Sequence, residues 1–459
     1  LVINLAAGWQ WAATALAARR QPNIILVMVC SLRADHLGCY GYDLPTSPHL
    51  DRFARESTRF ARAVAPSSWT LWSTASVLTA RAPERIFRES DYVADAGVYP
   101  GLPAALANRG YRTIAVTSHP LLHHDVNFPF SQHFHSFTTL GGAQDFTEKC
   151  APEVTARALE RAPRHRPFFL FLMYADTHEP YTQHPEFVFG PSKRDALNPA
   201  WTTTLSPAAR RRGADPALER QRRDVLAKYN SEIAYTDRAI GRLFDGLRAR
   251  GLYDDALIIV CSDHGEEFLE HGRYGHTYTL HREVTEVPLL IKHPRQRAGR
   301  VVAGTFPLID LYPSVLAMLG APSARLGLHG EGVDTATLLR PAEQPVYGAT
   351  VNGVRSLTLN GQVYYRGVQC AVAEDDPFAG CLTFFIGQST HHLFDLRADP
   401  GAYRDLAAAQ PTLLDALRAR MRRHDALLDA RDAAFRRRAA SVFDAEKARA
   451  RLRSLGYLQ

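Results

Sequence analysis

The sequence predicts an α/β fold: a doubly wound, mostly parallel sheet followed by a small C-terminal antiparallel sheet and a helix. Three observations carry this expectation. Short, almost wholly apolar runs rich in β-branched residues recur along the first two thirds of the chain, as strands buried on both faces do. Segments of helical periodicity separate them, which implies crossover connections. After about residue 345 the runs shorten and are joined by turn residues such as Asn360-Gly361, the signature of hairpins.

Residues 23–29 (NIILVMV) read as a central parallel strand. Helical patterns follow, and residues 111–118 (YRTIAVTS) supply a second strand. Residues 146–162 read as a helix and 167–174 (PFFLFLMY) as a third strand. Residues 183–215 are largely polar, with Pro185, Pro191, Trp201 and Arg210 to Arg212, and read as a long loop. Residues 216–251 predict a long amphipathic helix closed by a Gly stop, and 256–262 (ALIIVCS) and 287–292 (VPLLIK) further strands. Beyond them, 346–349, 354–359, 362–368 and 392–396 read as the antiparallel strands. Leu414, Leu417, Met421 and Leu428 then recur at helical spacing, which predicts a docking helix with a basic outer face. This organisation divides the chain into an apolar segment over 1–20, a main α/β unit over 21–344 and a C-terminal unit over 345–459.

The chain has 459 residues, 46% hydrophobic and 22% charged, a composition that excludes a disordered protein. A mean hydropathy of −0.21 excludes a polytopic membrane protein. Net charge is +7, but residues 411–459 hold 12 Lys/Arg against 6 Asp/Glu, so the tail carries +6 and the remainder +1. Nucleic-acid binding calls for a basic surface spread over a binding domain, so no nucleic-acid partner is expected. Leu1 to Ala18 contains no charged residue, and Arg19-Arg20 follow. The stretch reads as the end of a membrane-spanning helix, as the apolar core of a signal sequence with Ala15-Leu16-Ala17 at its cleavage site, or as a packed helix. The first two readings predict an extracytoplasmic protein, periplasmic or tethered to a membrane. The six cysteines form no C-x-x-C; Cys370 and Cys381 either close a hairpin in an oxidising compartment or stay as thiols.

Ligands of such sheets bind outside the carboxyl ends of the strands, and those ends are rich in chemistry. Asp263-His264-Gly265-Glu266-Glu267 follows residues 256–262, and an adjacent Asp and His at a Gly turn can offer a carboxylate and an imidazole to one cation. Asp176-Thr177-His178-Glu179 follows residues 167–174, and Gly275-His276 lies just beyond the Asp-His pair. Residues 65–81 read as a loop entering a helix and contain Thr70 and Ser73. A hydroxyl there sits among free backbone N–H groups that stabilise an anionic oxygen, although Ser and Thr also serve there as ordinary N-caps.

Together these segments resemble the sulfatase family of the alkaline-phosphatase-like superfamily, from about residue 22 to the C-terminus. PNIIL at 22–26 with SLRADHLGCYGY at 31–42 is similar to the family's first strand and turn, and PTSPHLD at 45–51 to its next helix start. STASVLT at 73–79 resembles its nucleophile helix, and SDHGE at 262–266, through Gly275-His276 to VPL at 287–289, its metal-binding strand end. Leu396, Arg397, Asp399-Pro400-Gly401 and LRSLGYL at 452–458 resemble its C-terminal pattern. The resemblance implies one bound divalent cation (Ca²⁺, Mn²⁺, Mg²⁺ or Zn²⁺) and an anionic ester substrate on a small molecule, a glycan or a lipid head group. It implies that Thr70, where sulfatases carry the Cys or Ser that becomes formylglycine, is the nucleophile and lies against the metal. Asp263 and His264 would be metal ligands, and His178 and His276 would contact anionic oxygens or protonate the leaving group.

Two departures qualify the activity. No C-x-P-x-R motif stands at the nucleophile, so formylglycine cannot form there by the usual modification. A Thr sulfate ester lacks the gem-diol route for shedding sulfate, whereas a Thr phosphoester can be resolved by water or an acceptor alcohol; Thr70 therefore favours phosphoryl or phosphonyl transfer. The second departure is Cys30, where the family places an Asp ligand at the end of its first strand. A thiolate there suits Zn²⁺; otherwise the site is weakened, and the protein would be a catalytically impaired relative that binds an anionic ligand.

Overall fold

The fold, taken from a computed structural model, is described for residues 21–88, 91–94, 101–122, 129–141, 146, 149–190, 216–271, 273–277, 279–320, 346–350, 355–359, 362–368, 389–395, 398–399 and 404–436. The apolar segment 1–20, the loop from 191 to 215, Val354, Asn360-Gly361, Cys370, Cys381, Leu396, Arg397, Pro400-Gly401 and residues 452–458 lie outside this description. Among the described residues no helix is long and apolar enough to cross a membrane.

Nine strands build the main sheet: β1 (Ile24–Val29), β2 (Thr58–Val64), β3 (Arg112–Thr117), β4 (Ser136–Thr139), β5 (Phe168–Tyr174), β6 (Leu257–Ser262), β7 (Glu286–Val287), β8 (Leu289–Lys292) and β9 (Arg300–Pro307). Their order is β7-β2-β8-β6-β1-β5-β3-β4, with β9 paired to β2. β6, β1, β5, β3 and β4 are mutually parallel, while β8 runs antiparallel to both β6 and β2. β1 is central and every one of its residues is buried, which is why its sequence is a continuous apolar run.

The pleat divides the core in two. Ile24, Leu26, Met28 and Cys30 face one cluster, which also holds Leu71, Ala75 and Leu78 of helix α2 (Thr70–Thr79). Ile25, Val27 and Val29 face the other, with Leu50 and Phe53 of α1 (Pro48–Ala54), Val154 and Ala158 of α3 (Ala151–Arg161) and Tyr229, Ile233, Ile240 and Leu243 of α4 (Pro216–Ala249). Helices thus cover both faces, the doubly wound arrangement that the sequence predicts. A second, four-stranded antiparallel sheet consists of β10 (Val346–Ala349), β11 (Arg355–Leu359), β12 (Gln362–Val368) and β13 (Ser389–Asp395). Helix α5 (Pro411–Arg436) docks on it through Leu417 and Met421, which cluster with Leu357 and Leu393, while Arg422 and Arg423 are exposed; the side chain of Leu428 lies outside the description.

Three expectations need correction, and one further strand gives no sequence signal. The stretch read as helical after residue 29 contains strand β2, whose sequence TRFARAV leaves Arg59, Ala61 and Arg62 partly or fully exposed and so lacks the apolar run of a central strand. β9 has a mostly exposed first half and gives no apolar signal. The helix expected from residue 146 begins at Ala151, with Pro152 in its first turn; Phe146 lies outside it, its ring stacked on His178 at 3.7 Å between centroids. The run 287–292 is broken at Pro288, which has no N–H for the ladder, into β7 and β8.

Leu26 is fully buried in the middle of β1. Leu26→Ala is expected to cost about 3 kcal/mol of unfolding free energy, from lost burial plus the cavity left behind. A denaturant titration checks this through a lower midpoint at unchanged slope.

Candidate functional site

β1 and β6 pair in register, with Val29 opposite Ser262, so the chain leaves both strands at the same level. Cys30 and Ser31 therefore emerge beside Asp263 and His264. Asp263 Oδ1 accepts hydrogen bonds from the N–H of Ser31 (3.0 Å) and of His264 (2.8 Å). Ser31 takes a left-handed φ of 53°, a costly conformation for a residue with a side chain, to aim its N–H there. Tyr229 of α4 clamps the same turn: its hydroxyl donates to Ser31 O (2.7 Å) and accepts from Arg33 N (2.9 Å).

Thr70 is the first residue of α2, and the cap position before it is Trp69, with no side-chain capping bond. The Thr70 hydroxyl turns instead toward the strand ends. Its Oγ1 lies 3.0 Å from His264 Nε2 and 3.6 Å from Cys30 Sγ. Ser73, the neighbouring candidate, donates its hydroxyl proton to Asp263 O at 2.6 Å and so anchors the helix. Gly265 brings the loop after His264 close to a second segment: a Cβ there would lie 2.1 Å from Glu283 O. That approach allows Gly265 N to donate to Val284 O and Glu266 N to Glu283 O, each at 2.9 Å.

The donor set fits a cation. One ligand atom from each of Cys30, Asp263 and His264 lies within 4.8 Å of the others, and all three residues are fully buried. Among the described residues Asp263 Oδ2 has no hydrogen-bond donor, and it lies 3.5 Å from His264 Nε2, an arrangement that is costly without a cation. His264 Nδ1 donates to Gly265 O (2.8 Å), which leaves the Nε2 lone pair facing Thr70 and the set. Burial, and then the charge of Asp263, push the Cys30 thiol well up, so the sulfur is a neutral thiol until a cation offsets that charge.

Imidazoles line the other side. His276 packs against His264 (4.3 Å between centroids) and His178 (5.1 Å). His276 Nδ1 donates to Glu266 Oε1 (2.9 Å), whose other oxygen accepts from Tyr181 OH (2.6 Å). His178 Nδ1 donates to Glu179 O (2.7 Å), and its buried Nε2 has no hydrogen-bond partner among the described residues. Lys149 Nζ holds this loop by donating to Asp176 O and His178 O, each at 2.8 Å. Asp176 itself caps α3, accepting from Ala151 N at 2.8 Å.

The structure thus brings together every residue that the sequence singled out: Cys30, Thr70, His178, Asp263, His264 and His276. Sequence reasoning missed His119, which follows β3 and lies 5.9 Å, between centroids, from His178. Its Nδ1 accepts from Leu121 N (3.2 Å), so the proton sits on Nε2, which is buried without a partner among the described residues. The signal was present, since His119 ends a strand whose neighbours' ends carry the other candidates. Of the partners, Glu266 lies within the SDHGE motif without a role assigned to it there, and Lys149 carries no sequence pattern that marks it.

The chain is similar to known proteins. The family model described as Sulfatase matches residues 22–321. Human arylsulfatase A is 25% identical to this chain, over 91% of the chain and 89% of that protein. Among solved structures, one in complex with its substrate D-glucosamine-2-N,6-O-disulfate superposes with a TM-score of 0.69 at 16% identity, covering 92% of this chain and 100% of that one. The phosphonate monoester hydrolase of Agrobacterium radiobacter gives a TM-score of 0.62 at 19% identity, covering 90% and 96%. These structural likenesses identify the fold as the alkaline-phosphatase-like one.

Burial pushes His119 and His178 well below the ordinary imidazole value. On unfolding at mildly acid pH each takes up a proton, because its unfolded pKa is about 6.5. Their contribution is therefore fully present above that value and is lost as pH falls below it. The unfolding free energy of the wild type minus that of His119→Gln should shrink between pH 7.5 and pH 5. Urea titrations at the two pH values test this, and a difference that does not change with pH contradicts it.

Proposed function

The chain belongs to the sulfatase family, and from that premise we propose that it is a metal-dependent ester hydrolase or transferase with Thr70 as nucleophile. Its favoured substrates are phosphate or phosphonate esters, with sulfate esters as the family's other class. The observation that carries this reading is the hydroxyl of Thr70, held at a helix start 3.0 Å from His264 Nε2 and 3.6 Å from Cys30 Sγ. Residues 70–74 read Thr-Leu-Trp-Ser-Thr, without the motif for formylglycine, so the nucleophile is an alcohol. An alcohol nucleophile leaves a phosphoester that water or an acceptor alcohol can cleave at phosphorus.

Cys30, Asp263 and His264 would hold the cation, and thiol, carboxylate and imidazole together suit Zn²⁺. Bound there, it would polarise the ester and favour ionisation of the Thr70 hydroxyl. The free N–H groups at the start of α2 favour negative charge on Thr70 and on the transferring group. In attack, the Thr70 oxygen bonds to phosphorus as the bond to the leaving alcohol breaks. Burial holds His178 well below the ordinary imidazole range, so it is neutral until the charge of an arriving anionic ester raises its proton affinity; once protonated it can donate to a substrate oxygen or to the leaving alcohol, and His276, oriented by Glu266, would contact the same oxygens. His119 already carries its proton on Nε2 and can donate to a non-bridging oxygen. Substrates on sugars suit this reading, since one structural relative was solved with a sulfated glucosamine.

The Cys30 thiol also supports a second reading, a catalytically impaired relative that binds anionic esters without turnover, because burial keeps it protonated. Turnover of aryl phosphate, phosphonate and sulfate esters, with Zn²⁺, Mn²⁺ or Ca²⁺ added, separates the two. Thr70→Ala is expected to lose turnover by about 10³-fold or more, as when a nucleophile is removed, with Thr70→Ser retaining part of it. Normal turnover by Thr70→Ala would make water the attacking group. Cys30→Asp should shift metal preference from Zn²⁺ toward Mg²⁺, Mn²⁺ or Ca²⁺, and an unchanged metal profile would remove position 30 from the ligand set. Absence of turnover in the wild type with every metal, but gain of it in Cys30→Asp, supports the impaired relative.

A further inference from the structure

We propose a second metal site, for Zn²⁺, formed by Glu267, His271 and His281, apart from the residues around Thr70. One ligand atom from each of the three lies within 4.8 Å of the others. Two imidazoles and a carboxylate are donors that Zn²⁺ takes, and its tetrahedral geometry needs ligand atoms roughly 3.4 Å apart, so side-chain adjustments of about an ångström close the set.

Four further observations fit. Glu267 is buried, 2% exposed; its Oε2 accepts from Thr279 Oγ1 at 2.9 Å, while its Oε1 has no hydrogen-bond partner among the described residues. A buried carboxylate oxygen in that state calls for a cation. The imidazoles of His271 and His281 stack at 3.6 Å between centroids and 10° between planes, which sets their nitrogens side by side. Outside the three, Glu283 Oε2 lies 3.1 Å from His271 Nε2, the carboxylate–histidine pairing that orients ligating imidazoles. His271 and His281 are only partly buried, which leaves an approach from solvent.

The site is placed to brace the neighbouring one. Glu267 pairs with Gly275 in a short antiparallel bridge, and His281 stands at the start of the helix Arg282–Thr285. Zn²⁺ held by all three would tie this hairpin to that helix, with Glu266 and its partner His276 on the hairpin. Glu266 turns to His276 and Tyr181, and the strand alternation sends Glu267 the other way.

The test uses the full chain as Cys30→Ala/Asp263→Asn, which dismantles the set beside Thr70. After stripping with EDTA, Zn²⁺ is titrated against a chromogenic chelator, and melting temperature is followed with and without Zn²⁺. One equivalent of Zn²⁺ per chain and a rise in melting temperature are expected. Adding His281→Ala or Glu267→Gln should weaken binding at least 100-fold and remove the rise; Glu267→Gln is isosteric and keeps the Thr279 bond, so it reports even if His281→Ala does not fold. No stoichiometric Zn²⁺ in the double variant, or affinity unchanged by Glu267→Gln, overturns the proposal. Because the Thr70 set is absent throughout, failure of the proposed ester chemistry leaves this outcome untouched.

Discussion

The parallel register of β1 against β6 is the constraint on which the rest of the site depends. With Val29 opposite Ser262, the residues that follow each strand meet, and Asp263 Oδ1 reads both of them through Ser31 N and His264 N. Ser262 Oγ lies 2.6 Å from Val29 O and accepts from Leu32 N at 2.9 Å, which pins the two ends together. A slip by one residue would move the pair about 3.3 Å along the strand, enough to break every one of these bonds. It would also exchange the two core faces, so burial along β1 protects the site's geometry.

Burial then sets the electrostatics. Thr70, Cys30, Asp263 and His264 are all removed from solvent, and desolvation is the leading cause that lowers His264 and raises Cys30. Both are thereby driven toward their neutral forms. On the proposed reading, a bound cation would offset the charge that an anionic ester brings into this buried set.

How much was legible follows from where residues sit relative to solvent. β1, β3, β5 and β6 stand in the middle of the sheet, covered on both sides, and their apolar runs were plain. β2 and β9 lie toward the edge with Arg59, Arg62 and Val301 partly or fully exposed, and their sequences do not announce strands. Asp263, His264, His178 and His276 were readable as polar residues after apolar runs, and Thr70 through its resemblance to a known helix. Residue types alone could not separate Thr70 from Ser73; the difference is that Ser73 donates to Asp263 O. His119 and Phe146 reach the site through turns whose course depends on packing with distant segments.

The strand order has a consequence for the time course of folding. β1 lies between β5 and β6, and the contact between Ser262 and Val29 spans 233 residues of chain. Pairings so distant in sequence close slowly, because loop entropy is lost before any contact rewards it. During synthesis at roughly 5 to 20 residues per second, β1 exists for something like 10 to 50 s before β6 is made. Through that interval one whole edge of the most apolar strand in the molecule has no partner, a template for pairing with another chain. The layout that brings Cys30 to Asp263 therefore gives the nascent protein its most aggregation-prone moment.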